Sequence, residues 1–214
     1  MPHRFKLVLL HGVQSRKEHL TQAANYLAVA IFIVLVPTFY HDPLTPRPAD
    51  RVADLTSILD QLDDEQSNLK TQLPKCLVSD KLGIAGHSAG GQTALLAAAT
   101  DPRIKVIIGL DPVIMSDRGV STATDKFQDY APQITIPTLL LRAKPHSCNA
   151  DGNQGLVLLP LLGSETKQDV YLEKTNHCNY IDTNLGCRLL CGSASPTNQV
   201  MIHRYMLDWF EKYL

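Results

Sequence analysis

The chain is notable first for what it has little of. Its net charge is −1 over 214 residues, so no surplus of either sign draws it toward nucleic acid or anionic lipid. No long hydrophobic run is present. The longest, Leu27 to Val36, is ten residues, about half of what a membrane span needs, and reads as the end of a helix followed by a buried strand. Met1-Pro2-His3-Arg4-Phe5 runs straight into a predicted strand without a secretory leader, so the expectation is a cytoplasmic protein. There are no internal repeats and no domain linker. The length suits one domain, residues 1–214, able to bury about 70 % of its unfolded surface.

Cysteine is scarce and odd in number. Cys76 stands alone, while Cys148, Cys178, Cys187 and Cys191 fall in the last third. Cys187 and Cys191, four apart, lack the tight paired spacing of a zinc site, so the sequence calls for no metal and no organic cofactor. Free thiols are the expectation, with one or two disulfides tying down the late loops as the alternative. A disulfide would argue for an oxidising compartment.

What is present is a pattern of apolar strands alternating with helices. Strands are predicted at Phe5–Leu10, Ile31–Val36, Leu82–Ala85, Val106–Leu110, Thr138–Arg142 and Asp169–Leu172. Their near-continuous apolar runs indicate strands covered on both faces, as in a parallel sheet. Helices are predicted over residues 17–29, from Ala49 to Leu73, from the turn after Ala85 to about Thr100, and from Asn198 to Tyr213. The last has Val200, Met201, Tyr205, Leu207, Trp209 and Phe210 as its apolar positions. The fold class is α/β, a doubly wound, mostly parallel sheet of about six strands with right-handed crossovers.

The chemistry centres on Gly86-His87-Ser88-Ala89-Gly90, a G-x-S-x-G sequence between a short strand and an alanine-rich helix. A serine hydroxyl is a weak nucleophile. It must project from a sharp turn where a base can reach it, and that turn has room only for small neighbours. The same five residues also occur in ordinary strand-to-helix turns, but here the flanks are those the motif needs. In an open α/β sheet, functional groups gather at the carboxyl ends of strands. Asp111 directly follows the fourth strand and His177 follows the sixth, giving the order Ser, Asp, His. The bland readings are a turn aspartate before Pro112 and a surface-loop histidine. Asp151 is the rival acid, and His146 and His203 are weaker candidate bases. His11 and His87 read as packing or hydrogen-bonding groups.

With these residues in view, the chain resembles the serine α/β-hydrolases. It is similar in particular to the subgroup containing chlorophyllases and platelet-activating-factor acetylhydrolases. The resemblance rests on Gly86-His87-Ser88-Ala89-Gly90-Gly91, on Ile108-Gly109-Leu110-Asp111-Pro112-Val113 and on His177-Cys178-Asn179-Tyr180. Arg47-Pro48-Ala49-Asp50 leading into Leu59-Asp60-Gln61-Leu62 resembles bacterial members. The chlorophyllase elbow normally has Arg where this chain has Ala89. The resemblance implies a minimal α/β-hydrolase fold without the usual first two strands, and a carboxylic ester hydrolase working through Ser88, Asp111 and His177.

An oxyanion hole is expected from the backbone N–H groups of Ala89 and Val13. Gly12 beside it, and Val113, Ile114 and Met115 on the loop 113–132, are candidates for substrate contact. That loop is a candidate cap, or else ordinary core. The substrate expected is a small-molecule or lipid-like ester, with the phytyl ester of chlorophyll as the sharp version. A short-chain carboxylesterase or thioesterase is the alternative. A different class, a non-catalytic binding protein on a hydrolase scaffold, would show a broken triad or elbow.

Overall fold

A computed structural model describes residues 5–30, 32–39, 47–73, 81–116, 119–120, 127–152 and 154–214. Six strands form one all-parallel sheet: β1 Phe5–Leu10, β2 Phe32–Leu35, β3 Leu82–His87, β4 Ile104–Leu110, β7 Thr138–Ala143 and β8 Lys167–Leu172. Their order is β2-β1-β3-β4-β7-β8. Between β4 and β7, β5 Met115–Ser116 and β6 Gly119–Val120 make a small antiparallel pair. The helices are α1 Thr21–Ala30, α2 Pro48–Asp63, α3 Asn68–Gln72, α4 Ala89–Thr100, α5 Phe127–Tyr130, α6 Gln154–Leu158, α7 Leu185–Cys191 and α8 Pro196–Tyr213.

The sheet is covered on both faces, as its continuous apolar strands require. On one face Leu7, Leu9, Ala85, Val106 and Ile108 pack with Leu20, Ala23 and Leu27 near α1 and with Ile202, Met206 and Phe210 of α8. On the other, Val8, Leu10, Ile84, Ile107 and Leu140 pack with Leu55, Leu59 and Leu62 of α2 and with Ala94, Leu95 and Ala97 of α4. Side chains alternate faces along a strand, so each strand feeds both layers. No helix among the described residues is long and apolar enough to cross a membrane.

Three predicted elements differ from what is found. The single helix expected from Ala49 to Leu73 is two. α2 stops at Asp63 because Asp64 turns to extended backbone, and Ser67 then caps α3 by accepting from the Lys70 N–H at 2.9 Å. The buried face of α8 is Gln199, Ile202, His203, Met206, Trp209 and Phe210, so Val200 and Tyr205 are exposed rather than apolar contacts. The segment 17–29 begins as a 3-10 turn, Lys17–Leu20, before α1.

Candidate active site

The elbow is built by close approach of backbone. A Cβ on Gly86 would lie 2.1 Å from the Gly90 carbonyl oxygen, and one on Gly90 would lie 2.4 Å from that of Leu10. Only glycine fits at either position, which lets the first turn of α4 rest against the end of β1. Between them Ser88 adopts φ 55 and ψ −125, a conformation that costs a non-glycine residue on the order of 1–3 kcal/mol. Backbone bonds hold it there. The Ser88 N–H donates to Leu110 O at 3.1 Å, and Ser88 O receives the N–H groups of Gly91 at 2.9 Å and Val113 at 3.1 Å.

Asp111 ends β4, the strand beside the elbow strand. It is 2 % exposed and also has a positive φ, 45. Its carboxylate is fully engaged. Oδ1 accepts from the Ala143 N–H at 2.9 Å and Oδ2 accepts from His177 Nδ1 at 2.6 Å. Asn149 Nδ2 donates to Oδ2 at 3.0 Å and to Oδ1 at 3.3 Å. The strand β7 separates β4 from β8, which leads to His177, and its last residue supplies the Ala143 donor. His177 opens a buried 3-10 turn, His177–Tyr180, capped by Asn176. Nδ1 is held by the carboxylate, so Nε2 is the nitrogen left to act as a base.

His87 and Ser88 are chain neighbours, and the ring of His87 lies 4.4 Å from that of His177. Its Nε2 donates to His177 O at 3.0 Å. Burial, then the proximity of His177, pushes the His87 pKa far below its ordinary value, so this ring is a neutral spacer. Among the described residues no hydrogen bond joins Ser88 Oγ to His177. Such contacts are often long in an unliganded site and close with substrate.

The loop after β1 comes up to the elbow from the other side. A Cβ on Gly12 would fall 2.9 Å from Ser88 Cβ and 3.3 Å from His87 Nδ1. His11 Nδ1 donates to Gly12 O at 2.7 Å while its Nε2 accepts from the Phe39 N–H at 3.0 Å, which fixes its neutral tautomer. Burial, with Arg51 adding to it, lowers the His11 pKa to about 4. Arg51, 3 % exposed, donates from Nη2 to His11 O and lies 4.7 Å over the Phe39 ring. Burial lowers its pKa to about 10. A buried cation therefore stands directly behind the backbone expected to hold the oxyanion.

The other sequence candidates sort clearly. Val13 lies in the turn after His11-Gly12, and Ala89 is the first residue of α4, where backbone N–H groups have no intrahelical acceptor. Val113 is buried with its N–H on Ser88 O, and Ile114 packs in the core with Phe127 and Ile134. Of Met115 only the strand position is described. The rival acid Asp151 is exposed, as is His146, and His203 packs against Tyr26 on α1. Arg51 and Asn149 were not singled out from the sequence. Arg51 had a signal, since it lies on the stripe with Leu55, Leu59 and Leu62. Asn149 had none.

The expectation of free thiols is corrected for the four late cysteines, while Cys76 lies outside the described residues. Cys148 pairs with Cys191 and Cys178 with Cys187. One disulfide starts beside Asn149 and the other beside His177, and both end on α7. The sulfurs of Cys178, Cys187 and Cys191 lie within 4.8 Å of one another. As cystine sulfurs they are not the thiolates that bind metal ions.

Comparison with known proteins bears on the family and the fold. The sequence matches the chlorophyllase family over residues 4–141, more than half of the chain, a span that holds the elbow and Asp111. No curated protein sequence matches. A solved structure from work on two metagenome-derived lipolytic enzymes, LipS and LipT, is 15 % identical and superposes with a TM-score of 0.71. The match covers 99 % of this chain and 95 % of that one, and at this identity it speaks for the fold. The chain belongs to the chlorophyllase family and has the α/β-hydrolase fold.

Proposed function

We propose that the protein hydrolyses carboxylic esters with Ser88 as nucleophile, His177 as general base and Asp111 as the group that orients it. The observation carrying this reading is the 2.6 Å bond from His177 Nδ1 to the buried Asp111 carboxylate, on strand ends beside a strained serine elbow. His177 Nε2 takes the Ser88 proton as Oγ bonds to the ester carbonyl carbon. The carbonyl oxygen becomes an oxyanion facing the Ala89 and Val13 N–H groups, with Arg51 behind them. The carbon–oxygen bond to the alcohol then breaks, the alcohol leaves with the proton from His177, and an acyl-enzyme remains. Water, deprotonated by the same imidazole, releases the acid and restores Ser88. Each oxyanion donor contributes about 3 kcal/mol to such a barrier.

The substrate class we assign is a lipophilic ester, and family membership makes the phytyl ester of chlorophyll its sharp version. A second reading, a short-chain esterase, is favoured by the burial of Val113 and Ile114, which takes them out of an apolar substrate wall. The two disulfides favour an oxidising compartment over the cytoplasm.

A fluorophosphonate probe tests the chemistry. Labelling that disappears in Ser88→Ala supports it, and folded protein that stays unlabelled makes the chain a binding protein. Turnover of p-nitrophenyl esters from acetate to palmitate, with chlorophyll a alongside, tests the substrate. Activity confined to the short esters rejects the lipophilic assignment.

A further inference from the structure

The two disulfides lie against each other. Cys191 is bonded to Cys148 and Cys178 to Cys187, and the sulfurs of Cys178, Cys187 and Cys191 all fall within 4.8 Å of one another. The four late cysteines therefore bring their sulfurs to one place, although three separate segments supply them. β7 and β8 are neighbouring parallel strands, so the turns that follow them, Ser147–Gly152 with Cys148 and His177–Tyr180 with Cys178, meet at one end of the sheet. α7 packs on both turns and offers Cys187 and Cys191, one helical turn apart on a single face. Cys191 is the one buried residue of this helix, and Leu185, Leu189 and Leu190 are exposed. Seven residues make a helix that is marginal alone, so α7 depends on its ties through sulfur.

Sulfurs gathered in this way can be tied by something other than their own bonds. A dithiol reductant gives each disulfide two electrons and two protons and leaves as its own disulfide, which frees four thiols and cuts both ties to α7. Zn²⁺ holds four thiolates at about 2.3 Å in a tetrahedron, whose sulfur–sulfur edges are about 3.8 Å. To reach that geometry the Cys191 sulfur closes on those of Cys178 and Cys187 by no more than about 1 Å, and each bonded pair opens once its bond is cut. Four thiolates around one ion, with no open position, make a structural site of the zinc type. We propose that Cys148, Cys178, Cys187 and Cys191 form a structural zinc site when reduced, Zn²⁺ displacing the four thiol protons and making four zinc–sulfur bonds. The ion ties α7 to the same two turns as the disulfides do, and so keeps His177 and Asn149 in place in a compartment where disulfides do not persist. Its role is to hold the fold, and it does not depend on the esterase reading.

The test uses the whole chain in a Cys76→Ser background, so that no fifth thiol takes part. The protein is reduced with a water-soluble phosphine, which leaves as its oxide with oxygen from water, and is titrated without air with Co²⁺ and then Zn²⁺. The reduced protein is expected to take up one Co²⁺ per chain with the visible absorption of a tetrahedral thiolate site, which an equivalent of Zn²⁺ bleaches. Zn²⁺ should also raise the melting midpoint of the reduced protein, or refold it where reduction alone unfolds it, as read by circular dichroism. Cys187→Ser and Cys148→Ser should each weaken Co²⁺ binding at least about tenfold, and the oxidised protein should give no such spectrum. Absence of the tetrahedral spectrum in the reduced chain overturns the proposal, as do serine variants that bind equally well. Bands that appear without any gain in stability also overturn it, since they mark capture of the ion by loose thiols.

Discussion

The carboxamide of Asn149 donates to Asp111 Oδ2 at 3.0 Å, the same oxygen that receives His177 Nδ1. It also donates to Lys144 O at 3.0 Å, and its Oδ1 accepts from the His146 N–H at 2.8 Å. Asn149 thus ties the loop after β7 to the Asp111 carboxylate. A hydrogen bond to a charged group contributes about 1.5–3 kcal/mol. Asn149→Ala is expected to lower kcat on a soluble ester about 10- to 100-fold with little change in KM. A larger change in KM than in kcat would mean that Asn149 serves the substrate instead.

Asp111 fixes the tautomer of His177, so Asp111→Asn should lower kcat by up to about 10⁴-fold while leaving the fold intact. Asp151, exposed and outside the carboxylate's bonding partners, should tolerate the same change. Steady-state kinetics of both variants decide between them. Loss confined to Asp151→Asn would transfer the acid's role.

Gly12→Ala places a methyl group within 2.9 Å of Ser88 Cβ. The loop must retreat, taking the Val13 N–H with it, and a shift of about 1 Å in a catalytic group costs about 100-fold. We expect that loss in kcat, with an unchanged melting profile showing that the damage is local.

His11 and His87 are buried neutral, and burial lowers both pKa values. The unfolded chain takes up protons on these groups below about pH 6.5 while the folded chain does not, so stability falls as pH falls. For His11, whose folded value is about 4, the window is roughly pH 6.5 to 4 and the loss is at most about 3 kcal/mol. Denaturant unfolding across that range should show the slope, and His11→Gln should flatten it. An unchanged slope in the variant would mean that His11 is already neutral in the unfolded chain or charged in the folded one.

The Cys148–Cys191 pair spans 43 residues and Cys178–Cys187 spans 9. Loop-closure entropy assigns about 4 kcal/mol to the first and about 2.6 kcal/mol to the second. Paired Cys→Ser variants, compared by denaturant unfolding, should follow that order. Reduction with dithiothreitol should lower activity as well as stability, because the freed segments hold His177 and Asn149.

Much of the fold was readable because each strand is a continuous apolar run, a pattern that only a sheet covered on both faces produces. The placing of Ser88, Asp111 and His177 at one end of the sheet was readable because each sits just after such a run. The gap between α2 and α3 was hidden because Leu69 and Leu73 continue the apolar series of α2, while the break is made by capping at Ser67. The α8 face differs from the expectation because Gln199 and His203 lie in the buried stripe, where composition suggests Val200 and Tyr205. Asn149 acts through one carboxamide on a loop with three successive positive φ residues, Ala150, Asp151 and Gly152, and no periodicity marks such a place. Four cysteines allow three pairings, and only three-dimensional proximity selects one.

The close fit of Gly90 against Leu10 and His11 also governs when the Ser88 elbow can form. β1 pairs with β3 across more than 70 residues of sequence, so the Ser88 turn has nothing to rest on until that long-range contact has closed. Non-local pairings of this kind form late in folding. A chain still emerging, or one clipped in its first strand, would carry Ser88 on an unformed turn. The Ser88 elbow is thereby withheld until the sheet is complete.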